Sequence, residues 1–405
     1  MKICFITHAF PPEKLGGAEI YAQRISKALA TRGHRIVVIT QAPFTGISSL
    51  LPKVTFDDGI KLYRFYPVNI FSIYRAHTKP VLLKGLWRIL DFVNPFPPRI
   101  IKRILKKEKP DIIHTHIIHG FSPFLLLSTI KKLGIPLVQT IHSYGFFCIK
   151  CDLLKFSGKP CHSLPPHCRL YSYIAQSALA NIHKTVISPS QFCLEMHKNQ
   201  GFFKQSRCIV LPNPVADENF GQQKNNPGPE TKFVILYAGR LTMNKGVHIL
   251  IDAFTQLQSD TAMLFIAGEG PWEKRLRQKA DANPNIVFTG RLDFPSLVKL
   301  YAKAAVTVVP SLYYEPFGNV IIESLAAGTP VIASRIGGIP ELIRHGYNGY
   351  LFEPGNSIQL KNYLKCLMDS PPILKELSEY ASLSARQYRI CDHLKELEKI
   401  YVTAI

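Results

Sequence analysis

The chain has 405 residues, 46% hydrophobic and 19% charged, enough for a large core and, at roughly 100–200 residues per domain, for two domains. No run approaches the roughly 18–20 uninterrupted apolar residues of a membrane-spanning helix, no signal peptide opens the chain, and nine cysteines in that setting point to reduced thiols in a cytoplasmic protein. Lys and Arg exceed Asp and Glu by 49 to 28; residues 1–212 hold 29 basic and 9 acidic side chains and the remainder 20 and 19, so the first half carries a field that attracts nucleic acid, anionic lipid or phosphorylated substrates.

Short β-branched runs alternate with helical patterns, the signature of parallel sheets with crossover helices. The predicted strands of the first half are 2–7, 35–40, 60–65, 111–115, 136–141, 185–188 and 208–211, with a first helix over 18–32 stopped by Gly33. Between Leu82 and Lys109, apolar residues are interleaved with Lys84, Arg88, Arg99, Lys102, Arg103, Lys106, Lys107 and Lys109 around Asn94-Pro95-Phe96-Pro97-Pro98. This reads either as an interface for an anionic membrane or as two amphipathic helices with solvated lysines. The polar, Pro- and Gly-containing stretch 212–231 breaks both periods and is read as the join and a hinge.

After the join, strands are predicted at 232–237, 262–267, 286–289, 306–309 and 331–333, and from Ile373 onward the pattern is helical with no following strand. The fold class is therefore α/β with two Rossmann-like parallel-sheet domains, 1–212 and 213–384, and a last helix, about 385–405, expected to pack back across the join. Absence of a glycine-rich dinucleotide fingerprint and of a P-loop removes the main support for a dehydrogenase or a P-loop kinase.

The most informative segment, Val308 to Ala333, reads as strand, loop, helix, glycine stop and strand. Its loop leaves the carboxyl end of a parallel strand, where open α/β sheets bind ligands, and the helix starting near Gly318 offers free N–H groups to a diphosphate. Glu315 and Glu323 place acceptor carboxylates on either side of that anion site, which suits a nucleotide sugar.

The two glutamates, separated by seven residues within Glu315-Pro316-Phe317-Gly318 and Gly328-Thr329-Pro330-Val331-Ile332, resemble the hallmark of the retaining glycosyltransferases of family four. The likeness extends to Gly239-Arg240 with Lys245-Gly246, to Gly268-Glu269-Gly270-Pro271, to Gly290-Arg291-Leu292, to the loop Pro11–Glu19 and to Asp111-Ile112-Ile113-His114-Thr115-His116. The resemblance implies the GT-B fold, two domains facing across a cleft, with the acceptor on the first and the donor on the second. It assigns Glu315 to the donor sugar, Glu323 to the ribose, and Phe317, Gly318, Asn319 and Val320 to the donor through the helix start. Arg240 and Lys245 are assigned to the diphosphate, Arg291 to the base, Gly16 and Gly17 to the diphosphate from across the cleft, and His116 to the reacting sugar.

The resemblance further implies hexosyl transfer from a nucleotide sugar, UDP favoured, with no cofactor beyond the donor. The implied acceptor is a lipid-linked saccharide or polysaccharide of cell-surface glycan synthesis at the inner face of the membrane. No third carboxylate in the motif regions stands out as a nucleophile, which favours front-face retention over double displacement. Ser143 replaces an aspartate common in the family's His-Asp, and Asn213-Pro214 its Asn-Gly. A nucleotide-sugar epimerase, a glycoside phosphorylase and a nonenzymatic basic nucleic-acid-binding protein are the competing readings. Finally, Cys148, Cys151, Cys161 and Cys168, with His162 and His167 nearby, are either ligands of a structural zinc or free thiols packing a loop.

Overall fold

Buried runs such as Ile3–Ile6, Ile36–Ile39 and Ile235–Ala238 mark strands covered on both faces, and they form the centres of two sheets. The structure, a computed structural model, describes all residues except 13–15, 75–78, 156–157, 181, 183, 218–231 and 282. The first sheet contains β1 (Lys2–Ile6), β2 (Arg35–Gln41), β3 (Lys53–Asp57), β4 (Ile60–Phe65), β5 (Ile112–Thr115), β6 (Leu137–Thr140), β7 (Thr185–Ser188) and β8 (Arg207–Val210), in the order β3-β4-β2-β1-β5-β6-β7-β8. The second contains β9 (Phe233–Ala238), β10 (Ala262–Ala267), β11 (Ile286–Gly290), β12 (Val306–Val309), β13 (Val331–Ser334) and β14 (Gly349–Phe352), in the order β11-β10-β9-β12-β13-β14. All pairings are parallel except β3 with β4, so the α/β fold read from the sequence holds.

Two strands escape the sequence pattern. β3 is an exposed edge strand without a buried apolar set, joined to β4 through Asp58-Gly59, both at positive φ (46° and 76°), the Asp-Gly hairpin turn. β14 is only four residues long and begins with a glycine.

The helices are α1 (Gly17–Thr31), α2 (Val81–Val93), α3 (Phe96–Glu108), α4 (Pro123–Leu133), α5 (Pro166–Leu179) and α6 (Gln191–Asn199) in the first half. Those of the second half are α7 (Val247–Thr255), α8 (Glu273–Lys279), α9 (Phe294–Lys303), α10 (Asn319–Ala326), α11 (Ser357–Asp369), α12 (Pro371–Ala385) and α13 (Ile390–Ala404). Between α2 and α3, the Asn94 Oδ1 accepts from Phe96 N at 3.0 Å, and Pro97 and Pro98 occupy the first turn of α3, where no intrahelical N–H is needed.

The chain passes between the halves at two adjacent strands of backbone. Val215 N donates to Tyr388 O at 2.8 Å, after which α13 returns to the first half and buries Leu394, Leu397, Ile400 and Tyr401 against Tyr21, Ile25 and Leu29. The polar stretch 221–229 assigned to the join lies outside the described residues. No helix among the described residues is long and apolar enough to cross a membrane.

Candidate active site

On the second sheet, the loops after β9, β10, β11 and β12 leave the same carboxyl edge and interlock through glycines. Gly246 (φ 70°) lies so close to the Pro310 carbonyl that a Cβ would overlap its oxygen, and Gly268 (φ 145°) is pressed in the same way on Gly239 O. That contact holds the turn Met243–Lys245 against the β12 loop. Lys245 Nζ donates to Glu315 Oε1 at 2.6 Å, Ser311 Oγ donates to the same oxygen at 2.6 Å, and Tyr313 OH donates to Oε2 at 2.6 Å. Glu315 is buried, and the Lys245 ammonium stands 4.9 Å from the centre of the Tyr313 ring. A buried carboxylate needs such compensation. Burial, then Glu315, holds the Tyr313 phenol far above its usual range.

α10 begins at Asn319 with Gly318 (φ 139°) as its cap, beside Glu315. Asn319 Oδ1 accepts from Asn213 Nδ2 at 2.9 Å, and its Nδ2 donates to Gly17 O at 3.4 Å, so the paired glycines Gly16 and Gly17 face this helix start from across the cleft. A Cβ on Gly17 would stand 3.0 Å from that amide nitrogen. The Phe317 side chain belongs to the core against Tyr388, which leaves its backbone for the loop, and Val320 packs partly buried beside Ala238 and Tyr301.

Glu323 is buried one turn further on, with Tyr301 OH donating to Oε2 at 3.3 Å and Arg24 Nη2 of α1 at 3.9 Å from Oε1. Burial raises its pKa, and Arg24 and Tyr301 oppose the rise. Arg240 and Arg291 are exposed at the ends of β9 and β11, and neither has an ion-pair partner among the described residues. The two strands flank β10, so at about 4.8 Å per strand they lie roughly 10 Å apart.

On the first sheet, β5 and β6 bring three imidazoles together, and α13 adds a fourth. His114 is fully buried, its Nδ1 at 2.6 Å from Tyr401 OH and its Nε2 at 2.7 Å from Thr140 Oγ1. His116, buried and stacked on Phe5, shares a 3.0 Å hydrogen bond through Nδ1 with His142 Nε2, while its own Nε2 has no partner among the described residues. His142 is half-buried, at the carboxyl end of β6. His393 of α13 reaches Tyr21 OH at 3.0 Å and Pro212 O at 2.9 Å. Burial, followed by neighbouring imidazoles, holds His114 and His116 well below the usual range; burial, then His8, lowers His142 to about 3. These imidazoles are thus uncharged.

The structure therefore sets His116, the residue singled out from sequence, one layer behind His142. His142, just past the end of β6, is a neighbour that sequence reasoning did not single out; the available signal was the period-two spacing of Thr140 and His142 beside that of His114 and His116. His8 Nε2 lies 3.2 Å from Glu19 Oε1, and Glu19 Oε2 accepts from Gly16 N at 2.8 Å. The remaining members of the Pro11–Glu19 loop, Glu13, Lys14 and Leu15, lie outside the described residues.

The two edges touch at several points. Ser190 Oγ donates to Pro316 O at 2.5 Å, the Gln191 and Phe192 amides at the start of α6 donate to the Glu341 carboxylate at 2.8 and 2.7 Å, and Tyr314 OH lies 3.2 Å from His162 Nδ1. Tyr144, two residues beyond His142, is fully buried with a hydroxyl that has no partner among the described residues; burial and then Cys193, Tyr313 and Glu315 raise its pKa.

The zinc expectation requires correction. Cys151 Sγ faces Arg88 Nη2 at 3.2 Å and His119 Nε2 at 3.4 Å, and a guanidinium beside a would-be ligand opposes a metal cation. Among the described residues no group of three or more His, Cys, Asp or Glu is placed to hold a metal ion. Cys148 and Cys168 are packed in the core of the first half, and Cys161 is buried nearby as a free thiol.

Two parallel-sheet domains with a paired carboxylate and lysine at a helix start define a nucleotide-dependent transferase of the GT-B type. Residues 15–219 match the sequence profile described as Glycosyltransferase Family 4, and residues 218–384 that described as Glycosyl transferases group 1. The chain belongs to glycosyltransferase family 4 and transfers a sugar from a nucleotide sugar. It is 28% identical over 369 residues to an uncharacterized glycosyltransferase of Methanocaldococcus jannaschii, covering 88% of this chain and 86% of that one. Sucrose-phosphate synthase of Thermosynechococcus elongatus superposes with a TM-score of 0.76 at 21% identity, over 99% of this chain and 98% of its own. HepE of Anabaena, solved in complex with UDP and glucose, gives 0.72 at 21% identity, over 99% of both chains.

Proposed function

We propose that the protein is a retaining hexosyltransferase that moves a sugar from a UDP-sugar to a lipid-linked saccharide or polysaccharide at an anionic membrane, in the synthesis of a cell-surface glycan. The observation that carries this reading is the convergence of Glu315, Lys245 and the start of α10 at one sheet edge, opposite the half-buried His142. The UDP complex of HepE supports the choice of base, and the surplus of 29 basic over 9 acidic residues in 1–212 supports the membrane.

In this reading residues 213–384 hold the donor and 1–212 the acceptor. The diphosphate takes the amides around Phe317, Gly318 and Asn319 together with Arg240 and Lys245, and Gly16 and Gly17 close on it from the first half. Glu323 accepts from the ribose, Arg291 lies by the base, and Glu315, oriented by Ser311 and Tyr313, accepts from the sugar hydroxyls. Lys245 is shared between Glu315 and the diphosphate, which couples sugar orientation to departure of the leaving group.

Retention proceeds on the front face. Glu19, a carboxylate brought to the first edge, is tied to His8 and to Gly16 N, which holds it on the glycine loop rather than free to attack the sugar. A diphosphate oxygen takes the proton of the incoming hydroxyl as the sugar–oxygen bond breaks and the new one forms on the same face. His142 orients the sugar and stabilises positive charge at its anomeric carbon, and His116 acts as its positioning residue.

The test is a panel of nucleotide sugars scored by thermal shift and nucleoside-diphosphate release, followed by NMR of the product. A UDP-sugar is expected to raise the melting temperature and to give a retained linkage. Inverted product would remove the front-face route, and a sugar nucleotide converted without acceptor would favour an epimerase.

A further inference from the structure

Two neighbouring helices of the first half carry surfaces that the transfer chemistry does not use. On α2, Leu82, Leu86, Ile89 and Val93 recur at i, i+4, i+7 and i+11 and so share one face, yet they are exposed by 76, 45, 62 and 64%. The opposite face is firmly anchored. Trp87 is buried and donates through Nε1 to Phe71 O at 2.9 Å, and Asp91 accepts from the amides of Gly120 and Ser122 at 2.9 Å each. The preceding loop, tied to the helix pair by Asn94 Nδ2 donating to Pro67 O at 3.0 Å and Val68 O at 2.6 Å, adds exposed Val68 and Ile70 to the ridge.

On α3 the charge is as one-sided. Arg99, Lys102, Arg103, Lys106 and Lys107 are exposed, and none forms an ion pair among the described residues. The only acid of the helix, Glu108, is buried and spent on Lys2 and Lys61 at 2.7 Å each. An apolar ridge beside an uncompensated cationic one matches the two layers of an anionic leaflet, acyl boundary and headgroup. Nucleic acid would use the cations but has no use for the ridge.

Position adds the functional part. Arg88 of α2 reaches His119 Nδ1 at 2.9 Å, Ile149 O at 3.0 Å and Cys151 Sγ at 3.2 Å, on the loops that follow β5 and β6 at the carboxyl edge. The ridge thus stands at the rim of the cleft, whereas α3 runs away from it to Glu108 beside Lys2, at the opposite edge of the sheet. We infer that α2 and α3 form a docking face for an anionic bilayer, α2 entering the acyl boundary and α3 holding headgroups. In this arrangement a lipid-anchored acceptor enters the cleft without leaving the membrane. The statement about the acceptor rests on the transferase reading; the docking face does not.

The test uses the full chain with vesicles of phosphatidylcholine alone or mixed with phosphatidylglycerol, at low and high salt. The variants are Lys102→Glu with Lys106→Glu, and Leu86→Ser with Ile89→Ser, all at exposed positions, with an unchanged melting temperature and an unchanged shift on adding UDP as controls of folding. Co-sedimentation is expected to rise with phosphatidylglycerol and fall with salt. The charge variant should lose roughly tenfold or more of it. The serine variant should keep the salt-sensitive part and lose what survives high salt. Equal binding to neutral and anionic vesicles, wild-type binding by both variants, or tighter binding to duplex RNA than to anionic vesicles with the serine variant indifferent would each overturn the docking face. Failure of UDP to stabilise the wild type would count against the transferase reading and leave the vesicle result standing.

Discussion

The two sheet edges that face each other across the cleft are built from opposite materials. The edge of the second sheet is charged and largely local: Glu315, its donors Ser311 and Tyr313, and the start of α10 all lie within a few residues, and the cations Lys245, Arg240 and Arg291 come from the loops after β9 and β11. The imidazole cluster at the edge of the first sheet is uncharged and assembled from the whole chain, since Phe5, Tyr21, His114, His116, Thr140, His142, His393 and Tyr401 meet around it. In the proposed reaction a departing diphosphate is stabilised by fixed positive charge and oriented amides, and uncharged imidazoles spare an anomeric centre that becomes positive the repulsion protonated ones would exert. In that proposal the first edge adds no imidazolium charge beside the sugar, and the second brings Lys245 and the start of α10 to the diphosphate.

The sharpest way to break this comparison is at the neutral edge. His142→Ala is expected to lower turnover by about 10²–10³ with little change in donor affinity, as for loss of a positioning and electrostatic group. His116→Ala should act in the same direction through His142 but more weakly, with partial rescue by His116→Asn, which retains a hydrogen bond to His142. Steady-state kinetics with calorimetric donor titration separates the two. If His116→Ala proves the more damaging, the order of the two layers is wrong.

At the charged edge the expected effect is on stability as well as on binding. Lys245→Met leaves the buried Glu315 without its cation and should cost about 2–3 kcal/mol, less than a fully buried pair because the Lys245 side chain is 25% exposed. Adding Glu315→Leu should restore much of that stability in denaturant melts, while donor binding stays lost. A double variant that recovers donor binding would remove both residues from the site.

The same contrast explains what could be read from the sequence. Val- and Ile-rich runs made most strands of both sheets legible, and the two glutamates were legible because their helix, loop and flanking strands are consecutive. The contacts of His142 were not, since they arise only when strand order puts β6 beside β5 and brings Thr140 and His142 against residues 26 positions earlier. Nor does any local pattern show that Lys245 is paired with Glu315. Cysteine spacing suggested zinc, but the fold turns Cys151 toward Arg88, a residue far away in sequence. β3 was missed for a different reason: an exposed edge strand has no buried face to impose alternation.

The neutral edge also makes acid stability sharper. Burial first, despite Pro212 O favouring the charged form, lowers His393 to about 4, against 6.5 for an ordinary imidazole. The unfolded chain therefore binds more protons than the folded one between those values, so the stability conferred is complete above about pH 6.5 and is lost progressively as pH falls toward the folded pKa of about 4. His393→Gln should reduce the loss between pH 7 and 5 by on the order of 1–2 kcal/mol, read from urea melts at both pH values. An unchanged pH dependence would show that His393 is not held neutral.

The smallest effect is expected at Glu323, where the two edges meet. Its carboxyl is buried, Tyr301 donates to one oxygen, and Arg24 of α1 stands 3.9 Å from the other, too far for a full charged hydrogen bond. Glu323→Gln keeps an acceptor for the ribose and for Tyr301 and gives up the charge that faces Arg24, so donor affinity should weaken by about 0.5–1 kcal/mol. Glu323→Ala removes the acceptor itself and should cost about 1.5–2 kcal/mol. Because burial raises the carboxyl pKa, donor binding by the wild type should begin to weaken at a higher pH than an ordinary carboxylate allows as the solution is acidified. The glutamine variant lacks that titration and should show a flatter profile. Calorimetric titration of UDP across the acid range checks both points: parallel profiles for the two proteins would mean that Glu323 does not contact the donor.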